Sequence, residues 1–211
     1  MPSAAEIKWL TEYVDVQPGD DVQRVSSRPQ RRIEIVEPDP AWPAQFAQVA
    51  TLIRDALGPA ALTIQHVGST SVADLPAKPI IDVNLVVADP TAEDAYVPAL
   101  ESAGFQFLYR EPRWYEHRFF GLTEPYTNLH VFGPEAAEPK RHALFRDWLR
   151  AHPNDRAKYA AVKREAAAAS RAADETIYEY NARKHEGLQE ILGRVFQAHG
   201  LVIPPDEEGQ K

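Results

Sequence analysis

The chain has 211 residues, 44% of them hydrophobic and 26% charged, which suits one domain, or one domain with a helical appendage, around a sizeable core. A net charge of −8 disfavours general nucleic-acid or membrane binding, because phosphate surfaces repel it on average, though a local basic pocket stays compatible. The absence of cysteine excludes a disulfide framework and thiolate metal sites, and without a secretory pattern or an apolar run of roughly 18 residues the expectation is a cytoplasmic protein.

In chain order, residues 1–32 read as an N-terminal arm. Ile7, Trp9, Leu10, Tyr13 and Val14 suit a short helix or strand, the Pro and Gly of residues 17–21 break it, and residues 24–32 are basic and extended in character. Such an arm packs loosely on the main domain, mediates an oligomer contact such as a homodimer, or stays a partly ordered tail. Residues 33–36 predict a short strand. Asp39 and Pro40 read as N-cap and first position of a helix in which Trp42, Phe46, Val49, Ile53 and Leu57 share one face, ended by Gly58 and Pro59. Residues 62–67 predict a strand entering a turn at Gly68, Ser69, Thr70 and Ser71, and residues 79–87 a second strand. A helix over 91–103, capped by Thr91, is shortened or kinked by Pro98. Three strand-like segments follow at 105–109, 114–120 and 128–132. The remainder predicts helices at 139–151, at 155–173, and from an Asp174 cap to about His199. That order implies an α+β fold: a mixed-sheet core with flanking helices over 33–134, a C-terminal helical bundle packed on it over 135–200, and a mobile tail over 201–211.

The chemistry concentrates between residues 65 and 87. If 79–87 is extended, Ile80, Asp82, Asn84 and Val86 share one face, and Ile81, Val83, Leu85 and Val87 the other. An acid inside so apolar a strand is costly unless its charge is offset. Asp82 therefore pairs with a cation or metal, or lies at the open end of the strand. Gly68 and Ser69, directly after a strand, make a turn whose N–H groups can approach an anion, with the hydroxyls of Ser69, Thr70 and Ser71 as further donors. The bland alternative is an ordinary turn, and Walker A spacing is absent. A Gly-Ser turn followed by a same-face acid pair is how nucleotidyl-transfer sites hold a triphosphate together with Mg²⁺. Lys78 can neutralise phosphate, pair with Asp82, or sit solvated in a loop. Read as extended, 114–118 puts Trp114, Glu116 and Arg118 on one face, where Arg118 can grip a carboxylate or phosphate bidentately.

These segments carry a resemblance. The chain resembles the GrpB family, of the nucleotidyltransferase superfamily with the DNA polymerase beta-like fold. The matching stretches are IEIVEP at 33–38 with Trp42 and Pro43, HVGSTSV at 66–72, KPIID at 78–82, NLHVF at 128–132, RDWL at 146–149, and Tyr159 with Lys163. The similarity spans residues 33–196, and the C-terminal part also resembles the domain fused to some bacterial dephospho-CoA kinases. The resemblance implies an enzyme that binds ATP or another NTP with Mg²⁺ or Mn²⁺ and transfers a nucleotidyl group to, or activates by adenylation, a small-molecule acceptor. In that scheme Gly68, Ser69, Thr70 and Ser71 hold the triphosphate and Asp82 with Asn84 holds the metal. Lys78, Arg118 or Lys163 then balances charge on the leaving pyrophosphate.

Two departures count against it. Many relatives carry Asp-x-Asp where this chain has Asp82 and Asn84, and the segment expected to supply a third carboxylate has Asn128 and His130 instead. His130 can bind a metal, act as a base, or pack in the core, and Lys163, with Lys158 and Arg164 beside it, can belong to a solvated face. Both departures favour the alternative: a catalytically degenerate protein of the same fold that binds or senses a nucleotide or another anion.

Overall fold

A computed structural model describes residues 3–12, 21–29 and 31–201. Tyr13, Val14, most of the expected break at 17–21 and all of the expected tail except Leu201 lie outside the described residues.

Among the described residues six strands form one mixed sheet. They are β1 (Gln23–Arg24), β2 (Thr63–Val67), β3 (Ile81–Val86), β4 (Gln106–Glu111), β5 (His117–Leu122) and β6 (Thr127–Phe132), in spatial order β1-β4-β5-β6-β3-β2. Among these neighbours only β3 with β6 runs parallel. Its register sets Asp82 opposite Asn128 and Asn84 opposite His130.

The two faces of β3 divide as the alternation predicts. Ile81, Val83, Leu85 and Val87 join Phe120, Leu122, Leu129 and Val131 in the main core, covered by Trp42, Val49, Ile53 and Leu57 of α2 (Trp42–Leu57) and by Leu100 of α3 (Val97–Ser102). The opposite face carries Asp82, Asn84, Asn128 and His130, and three C-terminal helices lie against it or its end: α4 (Glu138–Ala151), α5 (Pro153–Ala172) and α6 (Ile177–Ala198). Val72 and Leu75 tie the segment after the Ser turn to Leu149, Tyr159, Ile191 and Val195 of these helices in a second cluster. The structure is therefore α+β, a six-stranded mixed sheet with flanking helices. No helix among the described residues is long and apolar enough to cross a membrane.

Several local expectations shift. Residues 33–36 do not join the sheet. Val36 makes one two-bond bridge to Ala77, while Ile33 and Ile35 pack on Ala166, Ala167 and Tyr180 of the terminal helices. Asp39 caps a turn rather than the helix: its carboxylate accepts from the Ala41 N–H at 2.8 Å, and α2 starts at Trp42. The helix expected over 91–103 is a 3-10 turn at Glu93–Ala95 and then the short α3, with Pro98 in its first turn, where a missing N–H costs little. The last helix is capped by Thr176, which forms a capping box with Glu179, and not by Asp174, whose φ of 52° lies in the left-handed region. In the arm, Ala4–Thr11 is helical with Leu10 buried, and Gln23–Arg24 pairs with β4 as an edge strand.

Candidate functional site

The site grows from the register of three strands. Val67, last in β2, pairs with Asp82 of β3, which pairs in turn with Asn128 of β6. Gly68 follows Val67 and lies directly under the Asp82 carboxylate. A Cβ added there would meet Asp82 Oδ2 at 2.4 Å, and the φ of 67° is itself a glycine conformation. Ser69–Ser71 then close a 3-10 turn. Inside it the Thr70 hydroxyl donates to Ile80 O at 2.9 Å and accepts from His66 Nε2, while Ser71 Oγ donates to Gly68 O. Two of the turn's hydroxyls are thus committed to holding the turn and the 78–82 segment together. Ser69 faces the cavity with Tyr159.

A cavity of about 240 Å³ opens beside this turn, between the end of the sheet and the α5–α6 pair. Gly68, Ser69, Thr70, Lys78, Ile80, Asp82 and Asn128 form one wall. Tyr159 and Lys163 from α5, and Tyr180, Asn181 and Lys184 from α6, form the other. Each helix delivers a tyrosine and a lysine at i and i+4, the spacing that puts both on one face.

Its electrostatics are lopsided, with three lysines facing one aspartate. Burial pushes Lys163 down to about 7, helped by the repulsion of Lys184, Arg164 and Lys78. Burial likewise pushes Lys184 down to about 8, with Lys78 adding to the effect and Asp82 opposing it. Lys78 is lowered by burial and partly restored by Asp82. Burial raises the Asp82 carboxyl, against the hydrogen bond from Asn128 and the attraction of Lys78, His142 and Lys184. Lys163 donates to Pro76 O and lies 4.9 Å from the Tyr159 ring, and Lys184 lies 4.4 Å from the Tyr180 ring. Such ring faces stabilise ammonium groups that have lost water.

Of the residues singled out from sequence, Gly68, Ser69, Thr70, Lys78, Asp82 and Lys163 come together round this cavity. Ser71, Asn84, His130 and Arg118 do not line it. Arg118 belongs to the core-side face, opposite Val131 and Arg110, and pairs with Glu93 at 2.7 Å and with Glu116 at 3.3 Å. The extended reading of 114–118 fails because Tyr115 and Glu116 have φ of 55° and 52° and form a turn; β5 starts only at His117. His130 and His117 belong to a separate polar chain: Glu111 Oε2 to His117 Nδ1 at 2.7 Å, then His117 Nε2 to His130 Nδ1 at 3.1 Å. Burial holds both histidines well below the usual imidazole range, so they are neutral hydrogen-bonding rings. Asn84 is fully buried and bonds His142 Nδ1 at 3.1 Å.

The donor set does not fit a divalent cation on Asp82 and Asn84. Asn84 spends its amide on His142, Asp82 Oδ1 accepts from Asn128 Nδ2 at 2.7 Å, and the charged groups left at the cavity are ammonium groups. Among the described residues no three His, Asp or Glu side chains are grouped to hold a metal ion. What the arrangement can do is take an anion, with lysine charge doing the work that metal does elsewhere.

The residues that sequence reading missed are Tyr180, Asn181 and Lys184 of α6, and Arg28 of the arm, which donates to Asn128 Oδ1. The i, i+4 spacing of Tyr180 and Lys184, repeating that of Tyr159 and Lys163, was the available signal.

Comparison with known proteins agrees with this architecture. The solved structure of the conserved protein GrpB from Enterococcus faecalis matches with a TM-score of 0.66 at 24% identity, over 79% of this chain and 99% of that one, a likeness of fold. A UPF0157 protein of Halalkalibacterium halodurans is 46% identical over 77% of this chain and 82% of its own length. One from Pseudomonas aeruginosa is 39% identical over 86% of this chain and 75% of its own. A dephospho-CoA kinase of Mycolicibacterium paratuberculosis is 30% identical over 78% of this chain, which spans 46% of that protein. The family model described as GrpB protein matches residues 32–194, a stretch that holds the Gly68 turn, Asp82 and the cavity lysines. The chain belongs to the GrpB family.

Proposed function

We propose that this protein binds a phosphate-bearing small molecule, a nucleotide or related phosphate ester, in the cavity between the Gly68 turn and the α5–α6 pair. The observation that carries the reading is the convergence of Lys78, Lys163 and Lys184 on one cavity that holds a single carboxylate. Burial and mutual repulsion hinder protonation of the three lysines, and a phosphate entering among them relieves that penalty while supplying oxygen acceptors. Tyr159 and Tyr180 add hydroxyls and ring faces to the cavity. Lysine charge takes the role that Mg²⁺ or Mn²⁺ was expected to fill, so the binding reading is preferred over metal-dependent nucleotidyl transfer.

One observation favours a transfer reaction as second reading. Asp82 Oδ2 stands over Gly68 inside the ring of lysines, where it can accept the proton of an attacking hydroxyl while the lysines stabilise charge on the departing phosphate. The name of the mycolicibacterial relative, dephospho-CoA kinase, adds dephospho-CoA to the ligands worth offering.

The test is calorimetric titration of the full chain with inorganic phosphate, ADP, ATP and dephospho-CoA, with and without Mg²⁺. Binding without Mg²⁺ is expected. Lys163→Met and Lys184→Met should each weaken it roughly ten- to a hundredfold, the worth of one charge-assisted hydrogen bond. A wild-type protein that takes none of the panel defeats the reading. Release of pyrophosphate or ADP with an added acceptor promotes the second reading over the first.

A further inference from the structure

We propose that Arg28, in the arm that precedes the family-matched region, is a positioning residue that acts on Asp82 through Asn128. Its guanidinium donates through Nη1 to Thr127 O at 2.7 Å and to Leu122 O at 3.4 Å, and through Nη2 to Asn128 Oδ1. Asn128 Nδ2 in turn donates to Asp82 Oδ1 at 2.7 Å. A guanidinium has donors and no acceptor, so the oxygen end of the Asn128 amide must face Arg28. The nitrogen end is then forced toward Asp82. Without Arg28 the amide still keeps its nitrogen end toward the acceptor-only carboxylate but loses the partner that fixes its plane, so the Asn128–Asp82 hydrogen bond is no longer held in one geometry. With Arg28 in place, Oδ1 is occupied and Oδ2 is the oxygen presented over Gly68 to the cavity.

The surroundings are shaped to receive this side chain. The guanidinium carbon lies 4.1 Å from the Tyr126 ring centre and 6.0 Å from that of Phe119. Tyr126 also donates its hydroxyl to Pro29 O at 3.2 Å, which secures the arm beside it. Gly121 on β5 supplies the space: a Cβ there would sit 2.5 Å from Arg28 Nη1 and 2.8 Å from the guanidinium carbon. An arm that only fastened itself to the sheet edge would need none of this room. The arm thus reaches from outside the family region into the second layer of the cavity, so relatives without such an arginine would hold their aspartate differently.

The inference rests on the cavity being the ligand site, but its test uses ligand-free full chain. Side-chain amide resonances of Asn128, identified by their loss in Asn128→Ala, are recorded in the wild type, Arg28→Ala, Arg28→Lys and Gly121→Ala. The wild type is expected to show one Nδ2 proton displaced downfield by the Asp82 carboxylate. That displacement should shrink in Arg28→Ala and in Gly121→Ala, which leaves the arginine in the chain but blocks its seat. Arg28→Lys should keep it in part. An unchanged Asn128 signature in Arg28→Ala overturns the proposal; if that variant does not fold, an unchanged signature in Gly121→Ala does so. Phosphate titration of the same samples reports separately. A reduced signature in a protein that takes neither phosphate, ADP, ATP nor dephospho-CoA refutes the ligand reading and leaves Arg28 as the residue that holds Asp82 in place.

Discussion

Asp82 and Gly68 are the pair on which the site turns, because each dictates the other. The carboxylate fits over the turn only where no Cβ intervenes, and the turn's backbone, at φ 67° and ψ −171°, is one that only glycine adopts without strain. Gly68→Ala should therefore cost about 1–3 kcal/mol, read from the urea midpoint. Adding Asp82→Ala removes the closest part of the clash, the Oδ2 contact, and leaves the Cβ at 2.9 Å, so the double variant should lose less than the sum of the two by about 0.5 kcal/mol or more. Additive losses would mean that the carboxylate and the turn do not meet.

Lys163 makes a second prediction at the same scale. Its folded-state value of about 7 lies below the ordinary lysine value, so above pH 7 the unfolded chain holds a proton that the folded chain has released. Ligand-free stability from this group therefore rises as pH climbs from about 7 toward the ordinary lysine range. A bound phosphate favours the ammonium, so binding at pH 8 should take up protons, seen as a buffer-dependent heat in calorimetry. Lys163→Met should abolish most of that dependence, and a buffer-independent heat in the wild type would contradict the charge assignment.

Among the elements, β3 is the one whose two faces do different work, and its reading from alternation is correct to the residue. Ile81, Val83 and Leu85 are buried in the core, while Asp82 faces the cavity. Register by the period of two is a local property of extended chain, which is why it was legible. The segment at 114–118 fails for the complementary reason. Its two left-handed residues break the alternation before β5 begins, and nothing in the side chains of Tyr115 and Glu116 announces a left-handed backbone. The α6 start was misplaced by two residues for a similar reason, Asp174 and Thr176 both being good caps. The capping box settles it for Thr176, and Thr176→Ala should cost about 1 kcal/mol in urea unfolding, with Asp174→Ala costing less. A larger loss in Asp174→Ala than in Thr176→Ala would return the cap to Asp174.

At the scale of the whole molecule, a protein with net charge −8 concentrates positive charge in one cavity. The field favours entry of a small anion locally while the rest of the surface discourages extended polyanions. A ligand that bridges the sheet and the α5–α6 pair stabilises the folded chain by mass action, about 2.7 kcal/mol at a hundred times its Kd. Thermal unfolding should thus shift upward with ADP or phosphate, and the shift should shrink with salt and vanish in Lys163→Met/Lys184→Met. A shift of equal size in that double variant would place the ligand elsewhere.

By itself the sequence determined most of the elements, the two-faced strand, the glycine turn and the aspartate, since each follows from patterns within a few residues along the chain. It also carried the family, through the HVGSTSV and KPIID stretches. Only the tertiary structure decided which charges meet. Lys163 and Lys184 come from helices far along the chain, Arg28 arrives from the arm, and Arg118, though it lies on β5 of the same sheet, ends on the opposite face paired with Glu93. The physical reason is range. Backbone preference and side-chain alternation act between neighbours in sequence, whereas the charge balance of a cavity is a sum over groups that become neighbours only when the chain has folded.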